Sequence, residues 1–278
     1  MTILTALLFG LIQGLTEFIP VSSSAHLSVL SNLFGVISSG FNIKAFNIFV
    51  HFGTVIAALI FYWQDYALII FQAADFAALS RGQSSRQSRH YTSVRLLLMM
   101  CVAILPLFLI LPFNNFISSL NYNSAFVGVM LVLSGVILYI ADQFKEGEKT
   151  EKNMSLSDAL IIGLCQAVAV IPGISRIGTV FTAGLAIGLK KDFSARFAVL
   201  LSVPVMIGAN LFRIFDAAKD IFTWRDLPAC LLGMAAAIVS GIFALRVFKT
   251  IADNGKFKTI AWYCWVAGVL SVILTMIF

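Results

Sequence analysis

Six apolar segments, each long enough to cross a lipid bilayer, recur along this sequence of 278 residues. A helix rises about 1.5 Å per residue, so spanning a hydrocarbon core of about 30 Å takes roughly 20 apolar residues. Hydrophobic residues make up 60% of the chain and charged residues 12%, which is untypical of soluble domains. We therefore predict a polytopic membrane protein with spans at 46–63, 94–113, 124–140, 197–215, 227–248 and 258–278.

Two further apolar stretches are too short to span, and each is interrupted by proline. The first covers 3–19, breaks at Pro20 and the serines after it, and resumes over 25–37. The second covers 159–171, breaks at Pro172, and then resumes. Non-helical backbone at membrane depth must be buried in protein or line a wet cavity, so these patterns predict re-entrant hairpins. A single kinked span is the alternative for the first stretch.

The two hairpins have matching sequences, which indicates an internal repeat. The matched pairs are Gly10 with Gly163, Gln13 with Gln166, Pro20 with Pro172 and Ser23 with Ser175. Each copy holds a hairpin and three spans, and an odd number of spans inserts the second copy upside down. We predict an all-α fold in which one transmembrane domain, 1–278, contains inverted repeats at about 1–141 and 155–278.

Basic residues in the loops predict the orientation of the chain. They cluster in four places, namely the loop at 80–89, the loop at 142–158, the region just beyond residue 189 and the stretch at 246–258. Cytoplasmic loops carry an excess of lysine and arginine, so these loops face the cytoplasm and both termini lie outside. The formal net charge of +6 therefore reports orientation, and no nucleic-acid partner is expected.

Polar side chains surround the proline of the first hairpin, where burial in lipid would be costly. They are Glu17, Ser22, Ser23, Ser24 and His26. Such groups are expected to face one another or a wet cavity. Inverted repeats place their site where the two broken elements meet, which would add the second tip, with Ser175, Arg176 and Thr179. We predict the active site there.

Arg176 is the residue best suited to bind phosphate. It is the only arginine or lysine between Lys152 and Lys190. A guanidinium at the start of a helix, beside a turn that contains Gly173, offers charge and hydrogen-bond donors to phosphate oxygens. The alternative is a structural ion pair with Glu17.

Ser23 can act as a nucleophile only if a base takes its proton. His26 lies on the same helix face as Ser23 if the second arm's helix begins near Ser23. Glu17 could serve as the base, as a group that orients the base, or as a metal ligand. Serine is also a preferred helix N-cap, so a purely structural role is expected for one of the three serines. His51 is a weaker candidate, which equally fits a hydrogen bond to a neighbouring helix.

Two motifs carry a resemblance to a known family. E-F-I-P-V-S-S-S-A-H at 17–26 and P-G-I-S-R-I-G at 172–178 resemble the signatures of the undecaprenyl-diphosphate phosphatases, the bacitracin-resistance family. The resemblance continues through H-F-G-T at 51–54, F-A-V-L-L-S-V-P at 197–204 and the final span. It implies hydrolysis of a C55 isoprenyl diphosphate to the monophosphate carrier for peptidoglycan, in the bacterial inner membrane, at a site that faces the periplasm.

The resemblance also implies residue roles and partners. Ser23 matches the nucleophile, His26 and Glu17 the acid–base or metal-assisting groups, and Arg176 the phosphate clamp. The expected substrate-binding residues are Gln13, Ser22, Ser24, Gly173, Ser175 and Thr179. A divalent metal, Mg²⁺ or Ca²⁺, is expected, with Glu17 as a candidate ligand. The partners are the isoprenyl diphosphate lipid and the bilayer, and a homodimer is one option for the assembly.

Three residues depart from the family motifs. Gln13 replaces a glutamate of E-G-x-x-E. Ile177 and Val180 replace two hydroxyl residues of S-R-S-G-A-T, and we expect this loss to leave fewer hydroxyl groups around the bound phosphate. The inverted-repeat architecture also suits an alternative function, a transporter or flippase of a phosphorylated isoprenoid lipid or small anion. The serine, histidine and glutamate cluster favours the phosphatase, because a carrier has less reason to assemble it.

Overall fold

The computed structural model describes residues 2–34, 42–79, 91–121, 123–217 and 224–277, and these residues are almost entirely helical. The α-helices in them are α1 (Ile3–Phe18), α2 (Ser23–Leu33), α3 (Ile43–Phe61), α4 (Trp63–Leu79), α5 (Tyr91–Ile104), α6 (Asn114–Leu120), α7 (Ser124–Ala141), α8 (Leu156–Val168), α9 (Arg176–Ala186), α10 (Lys191–Ala217), α11 (Leu227–Asn254) and α12 (Phe257–Ile277). Short 3₁₀ turns lie at Leu105–Leu109, Leu111–Phe113 and Trp224–Asp226. The predicted all-α class is confirmed.

Six helical segments in the described ranges are long and apolar enough to cross a membrane. They are Ile43–Phe61, Thr92–Leu109, Ser124–Ala141, Lys191–Ile214, Leu227–Asn254 and Phe257–Met276. Each overlaps one predicted span, so the prediction of a multi-pass membrane protein with six spans is confirmed. Pro106 and Pro112 lie in the 3₁₀ turns after α5, because proline lacks the amide donor that an α-helix needs.

Helix α4 was not predicted from the apolar pattern. Polar residues such as Asp65 and Gln72 interrupt its apolar sequence. Asp65 forms a salt bridge with Arg196 in the first turns of α10, which ties α4 to that span. The predicted loop at 80–89 and the end of the first hairpin at 35–37 lie outside the described residues.

The two short helix pairs are consistent with the predicted re-entrant hairpins. α1 has 16 residues and α8 has 13, or roughly 24 and 20 Å, which is less than the hydrocarbon core. α1 packs beside α2, and α8 packs beside α9. The connecting tips contain Pro20 and Pro172.

Each hairpin also packs tightly against a span from the other half of the chain. α1 lies on α11, and α8 lies on α5. A Cβ on Gly10 would fall 2.1 Å from Gly233 O, and one on Gly163 would fall 2.5 Å from Ala103 O. Only glycine permits these backbone approaches, which are typical of membrane helix interfaces. This reciprocal packing is compatible with inverted repeats, whose boundaries stay a prediction.

Three connecting segments meet at one end of the molecule, which we call the basic end. They are the α7–α8 loop, the turn after α9 and the α11–α12 connection. Lys149 N–H donates to Gly188 O at 3.0 Å, and the Lys149 ammonium binds the Asp158 carboxylate at 2.9 Å. Asp158 also forms a capping box with Ser155 at the start of α8. Lys258 N–H donates to Asp142 Oδ2 at 2.8 Å.

Candidate active site

The two hairpin tips contact each other directly. Ser24 Oγ accepts a hydrogen bond of 3.2 Å from the backbone N–H of Gly173. Pro20 of the first tip packs closely against Gly178 in the first turn of α9. The loop after α1 and the loop after α8 therefore form one continuous surface in the interior of the helical bundle.

A cavity of about 580 Å³, counting its open mouth, lies where the tips meet. Its polar lining residues are Thr16, Glu17, Ser22, Ser23, Ser24, His51, Ser175, Arg176, Asn210 and Arg213, and its apolar ones are Ala169, Ile171, Ile174, Met206 and Ala209. These residues come from both hairpins, α3 and α10. One chain supplies them all, so a homodimer is not needed to complete the cavity.

The Ser23 hydroxyl is oriented by Glu17. Ser23 is the first residue of α2, and its Oγ donates to Glu17 Oε2 at 2.6 Å. The same carboxylate oxygen accepts a second hydrogen bond, of 2.9 Å, from Gln13 Nε2, one turn earlier on α1. Because the carboxylate accepts the Ser23 proton in a short hydrogen bond, it is placed to take that proton when Ser23 attacks.

Ser22 has a strained backbone at the tip. Its φ of 65° is the only positive value at a non-glycine residue in the described part of the chain. Such strain typically costs about 1–3 kcal/mol and concentrates at functional sites. The Ser22 side chain lies 3.1 Å from Ser24 Oγ and does not cap α2. The N-terminus of α2 thus reaches the cavity without a side-chain cap, which suits an anion.

In the second tip, Ser175 and Thr179 have structural contacts. Ser175 Oγ caps α9 by accepting from Gly178 N–H, and its own N–H donates to Ser134 Oγ. Thr179 Oγ1 donates to Ser175 O at 2.8 Å. Ser175 lines the cavity, whereas Thr179, Gly173 and Gln13 are not among its lining residues.

Arg176 projects its side chain into the cavity from the first position of α9. Within the described residues it forms no salt bridge with Glu17, and its buried Nε has no hydrogen-bond partner. The structural ion pair that the sequence left open is therefore not observed. A guanidinium with unused donors beside a serine and a carboxylate is suited to bind phosphate oxygens.

His26 does not line the cavity. Its Nδ1 lies 2.9 Å from Ser22 O and its Nε2 lies 2.7 Å from the Tyr263 hydroxyl. A carbonyl only accepts, so Nδ1 carries the proton and Nε2 accepts from Tyr263. α2 begins at Ser23 as expected. His26 is three residues further along the helix, so the side chains of Ser23 and His26 point in directions about 60° apart around the helix axis. The acid–base role of His26 stays a prediction.

His51 is the histidine that faces the cavity. Its Nδ1 lies 2.7 Å from the carbonyl of Asn47, one turn earlier on α3. Since that carbonyl fixes the proton on Nδ1, the Nε2 atom carries a lone pair and can accept a proton from water. His51 is thus better placed for acid–base chemistry than the sequence alone indicated.

Two polar residues of α10 were missed in the sequence analysis. Met206, Ala209, Asn210 and Arg213 recur at helical spacing and form one face of α10 along the cavity. The sequence did hold a signal, because an asparagine and an arginine inside an apolar span usually mark a functional site.

Ile177 and Val180 do not line the cavity. Each is 1% exposed and packs within the hydrophobic core. The structure therefore differs from the expectation that these two residues leave fewer hydroxyl groups around the bound phosphate. On α9 they point into the core of the bundle, while Arg176 at the helix start reaches the cavity.

Glu17 is the one carboxylate among the cavity-lining residues. In the described ranges no group of three or more His, Cys, Asp or Glu gathers as a metal site. Behind Glu17, Gln13 is fully buried and its Oε1 has no hydrogen-bond partner. Mg²⁺ is commonly held by one or two carboxylates together with substrate phosphates and water. Glu17 therefore fits an ion that is shared with the substrate, whereas Gln13 does not line the cavity.

Comparison with known proteins finds similarity over nearly the whole chain. The family model described as "Bacitracin resistance protein BacA" matches residues 6–270. The chain is 36% identical to "Undecaprenyl-diphosphatase" of Halothermothrix orenii over 282 residues, which covers 100% of both chains. It is 37% identical to the protein of that name from Methanobrevibacter smithii, with 97% of this chain and 96% of the relative covered. A Methanosphaera stadtmanae protein of the same name is 32% identical, with 99% of each covered.

Proposed function

The chain belongs to the bacitracin resistance protein BacA family, and we infer from this membership and from its site that it hydrolyses undecaprenyl diphosphate. It is an integral-membrane phosphatase that releases the terminal phosphate and leaves the lipid monophosphate. The structural observation that carries this inference is the short Ser23–Glu17 hydrogen bond in a cavity that also contains Arg176.

The first step joins Ser23 to the terminal phosphorus. As Ser23 Oγ attacks, its proton passes to Glu17, the bond from phosphorus to the bridging oxygen breaks, and the isoprenyl monophosphate leaves. Arg176 neutralises the phosphate oxygens, which is the main contribution that a protein makes to phosphoryl transfer. The helix start at Ser23 adds backbone donors.

The second step releases phosphate. A water molecule attacks the phosphorus of phosphoserine, the bond to Ser23 Oγ breaks, and the serine recovers a proton from Glu17. His51, which lines the cavity, accepts the proton of that water at Nε2, and its hydrogen bond to Asn47 through Nδ1 supports this role. Direct attack by water activated by Glu17 or His26 is the alternative, and a phosphoserine found by mass spectrometry after acid quenching would distinguish the two routes.

A divalent cation, Mg²⁺ or Ca²⁺, is part of this proposal. Glu17, the carboxylate that lines the cavity, would hold it together with the substrate phosphates. When bound, such an ion offsets phosphate charge and orients the leaving group. The small number of protein oxygens favours Mg²⁺, since Ca²⁺ usually takes six to eight oxygen ligands.

The cavity is proposed to open to the periplasmic side of the bacterial inner membrane. α10 starts with Lys191 at the basic end, and the cavity-lining residues Met206 to Arg213 lie in its other half. The positive-inside rule assigns the basic end to the cytoplasm. The cavity therefore faces the outer leaflet, where a lipid diphosphate can enter head first.

Phosphate release from farnesyl diphosphate, a C15 isoprenyl diphosphate, tests this function. The purified protein in detergent with Mg²⁺ should release phosphate, and Ser23→Ala and Arg176→Ala should each reduce the rate by about 100-fold or more. Ser119→Ala is a control, because Ser119 is exposed, its hydroxyl donates to the backbone of its own helix and it does not line the cavity. Rapid hydrolysis by Ser23→Ala would remove the nucleophile assignment. An inactive wild type that moves lipid across vesicles would favour the transporter.

A further inference from the structure

One face of α10 forms a wall of the cavity that the hydrolytic steps do not use. Met206, Asn210 and Arg213 lie on it, and seven residues of helix correspond to about 10 Å. Arg213 is exposed while Asn210 is fully buried, so the face runs from the interior towards the mouth. It is long enough to contact a substrate beyond its reacting phosphate.

Asn210 has unused hydrogen-bonding capacity. Its relative exposure is 0%, yet neither its Oδ1 nor its Nδ2 has a partner. Leaving a buried polar group unpaired costs about 1–3 kcal/mol, so native proteins seldom do so without a ligand or water. Since Asn210 lines the cavity, a molecule bound there would supply the missing partner.

Arg213 gives the mouth of the cavity an excess of positive charge. Within the described residues it forms no salt bridge. The cavity therefore contains two guanidinium groups, from Arg176 and Arg213, against the single carboxylate of Glu17. An arginine in a membrane span is costly unless it has a functional partner. Two separate cations suit a ligand with two anionic groups.

We propose that Asn210 and Arg213 form a second phosphate subsite, which binds the lipid-proximal phosphate of an isoprenyl diphosphate while Arg176 binds the terminal one. The assignment rests on the proposed function, because Ser23 must reach the terminal phosphorus in the interior. The other phosphate then lies towards the mouth, where the isoprenyl chain continues into the bilayer. After hydrolysis this subsite still contacts the isoprenyl monophosphate.

The subsite is tested by separating substrate binding from chemistry. Arg213→Met should raise KM for farnesyl diphosphate about 10- to 100-fold, the range expected for a lost charge-assisted hydrogen bond, with kcat changed less than about threefold. It should weaken inhibition by farnesyl monophosphate by a similar factor. Arg213→Lys, which keeps the charge, should retain part of the affinity. Asn210→Leu, which keeps the volume, should act in the same direction as Arg213→Met.

Thermal stabilisation by farnesyl monophosphate gives a readout that does not need hydrolysis, since a ligand that binds the folded state raises the unfolding midpoint by an amount that grows with the logarithm of its affinity. Arg246→Met is the control, because Arg246 is exposed on α11. The subsite is supported, even if no phosphate is released, when farnesyl monophosphate stabilises the wild type and Arg246→Met but no longer stabilises Arg213→Met. In that case the proposed function fails and the subsite stands. Hydrolysis with unchanged KM and unchanged monophosphate binding in Arg213→Met would overturn the subsite alone.

Discussion

Ser24 and Gly173 join the two hairpin tips through a single hydrogen bond, from the Gly173 N–H to the Ser24 hydroxyl at 3.2 Å. The bond links residues of the two halves of the chain, and in sequence it lies next to Ser23 on one side and three residues before Arg176 on the other. Its geometry therefore couples the distance between nucleophile and phosphate clamp to the packing of the tips.

Ser24→Ala should loosen this coupling with little effect on the fold. The loss of one hydrogen bond costs about 1 kcal/mol, whereas a small misplacement of reacting groups can cost about 100-fold in rate. We expect kcat for farnesyl diphosphate to fall about 10- to 100-fold while the thermal midpoint changes by a few degrees. A variant with full activity would show that the Ser24 hydroxyl does not position the tips.

Glu17→Gln should abolish most activity while keeping the shape of the side chain. An amide can accept the hydrogen bond from Ser23 but cannot take its proton, so we expect kcat to fall by about 10²- to 10⁴-fold. Glu146→Gln is the matched control, because Glu146 is exposed in the α7–α8 loop. Equal rates in the two variants would exclude Glu17 as the base.

His51→Asn should slow the second step more than the first. If His51 assists the attacking water, phosphoserine will accumulate, and acid quenching followed by mass spectrometry should detect more of it than in the wild type. We expect kcat to fall about 10- to 100-fold, at the lower end of general acid–base effects. A lower rate without added phosphoserine would assign His51 to the first step instead.

Gly10→Ala should destabilise the protein by separating α1 from α11. The added Cβ would lie 2.1 Å from the backbone oxygen of Gly233, and overpacking of this kind costs about 1–3 kcal/mol or more. Gly208→Ala is the matched control, since a Cβ there meets nothing within 4 Å. Thermal unfolding in detergent should show a lower midpoint for the first variant and an unchanged or higher one for the second.

Asp158→Asn should reduce stability in a pH-dependent way. Burial raises the pKa of Asp158, but hydrogen bonds from Ser155 and Lys149 outweigh it and hold the pKa below its ordinary value. A lowered pKa in the folded state stabilises the protein above about pH 4 and loses that effect as the pH falls through the folded value. The difference in thermal midpoint between variant and wild type should therefore be largest near neutrality and disappear in strong acid.

The membrane spans and the meeting of the two hairpin tips at a polar cavity could be predicted from sequence, because both depend on simple energetic rules. Long apolar segments have few alternatives to spanning, and the polar groups around Pro20 and Pro172 had to be shielded from lipid. The lining of the cavity by Glu17, Ser23 and Arg176 follows from the meeting of the two tips.

The direction of each histidine could not be predicted, because it depends on tertiary contacts. His26 lies on the expected helix, yet its ring pairs with Tyr263 from the last span and does not line the cavity. His51 and Arg213 reach the cavity only through the packing of α3 against α10. Sequence spacing describes neighbours on one helix, and these contacts join helices that are far apart in the chain.

The glycine-tight contact between α1 and α11 has a consequence for biosynthesis. The surface that receives Gly10 belongs to a helix that begins at Leu227, so the ribosome has made most of the chain before that surface exists. During this interval the first hairpin enters the membrane without its partner, and its carboxylate and serines need temporary shelter. Insertion factors that hold early helices near the translocon would therefore affect the yield of active protein more than its stability once assembled.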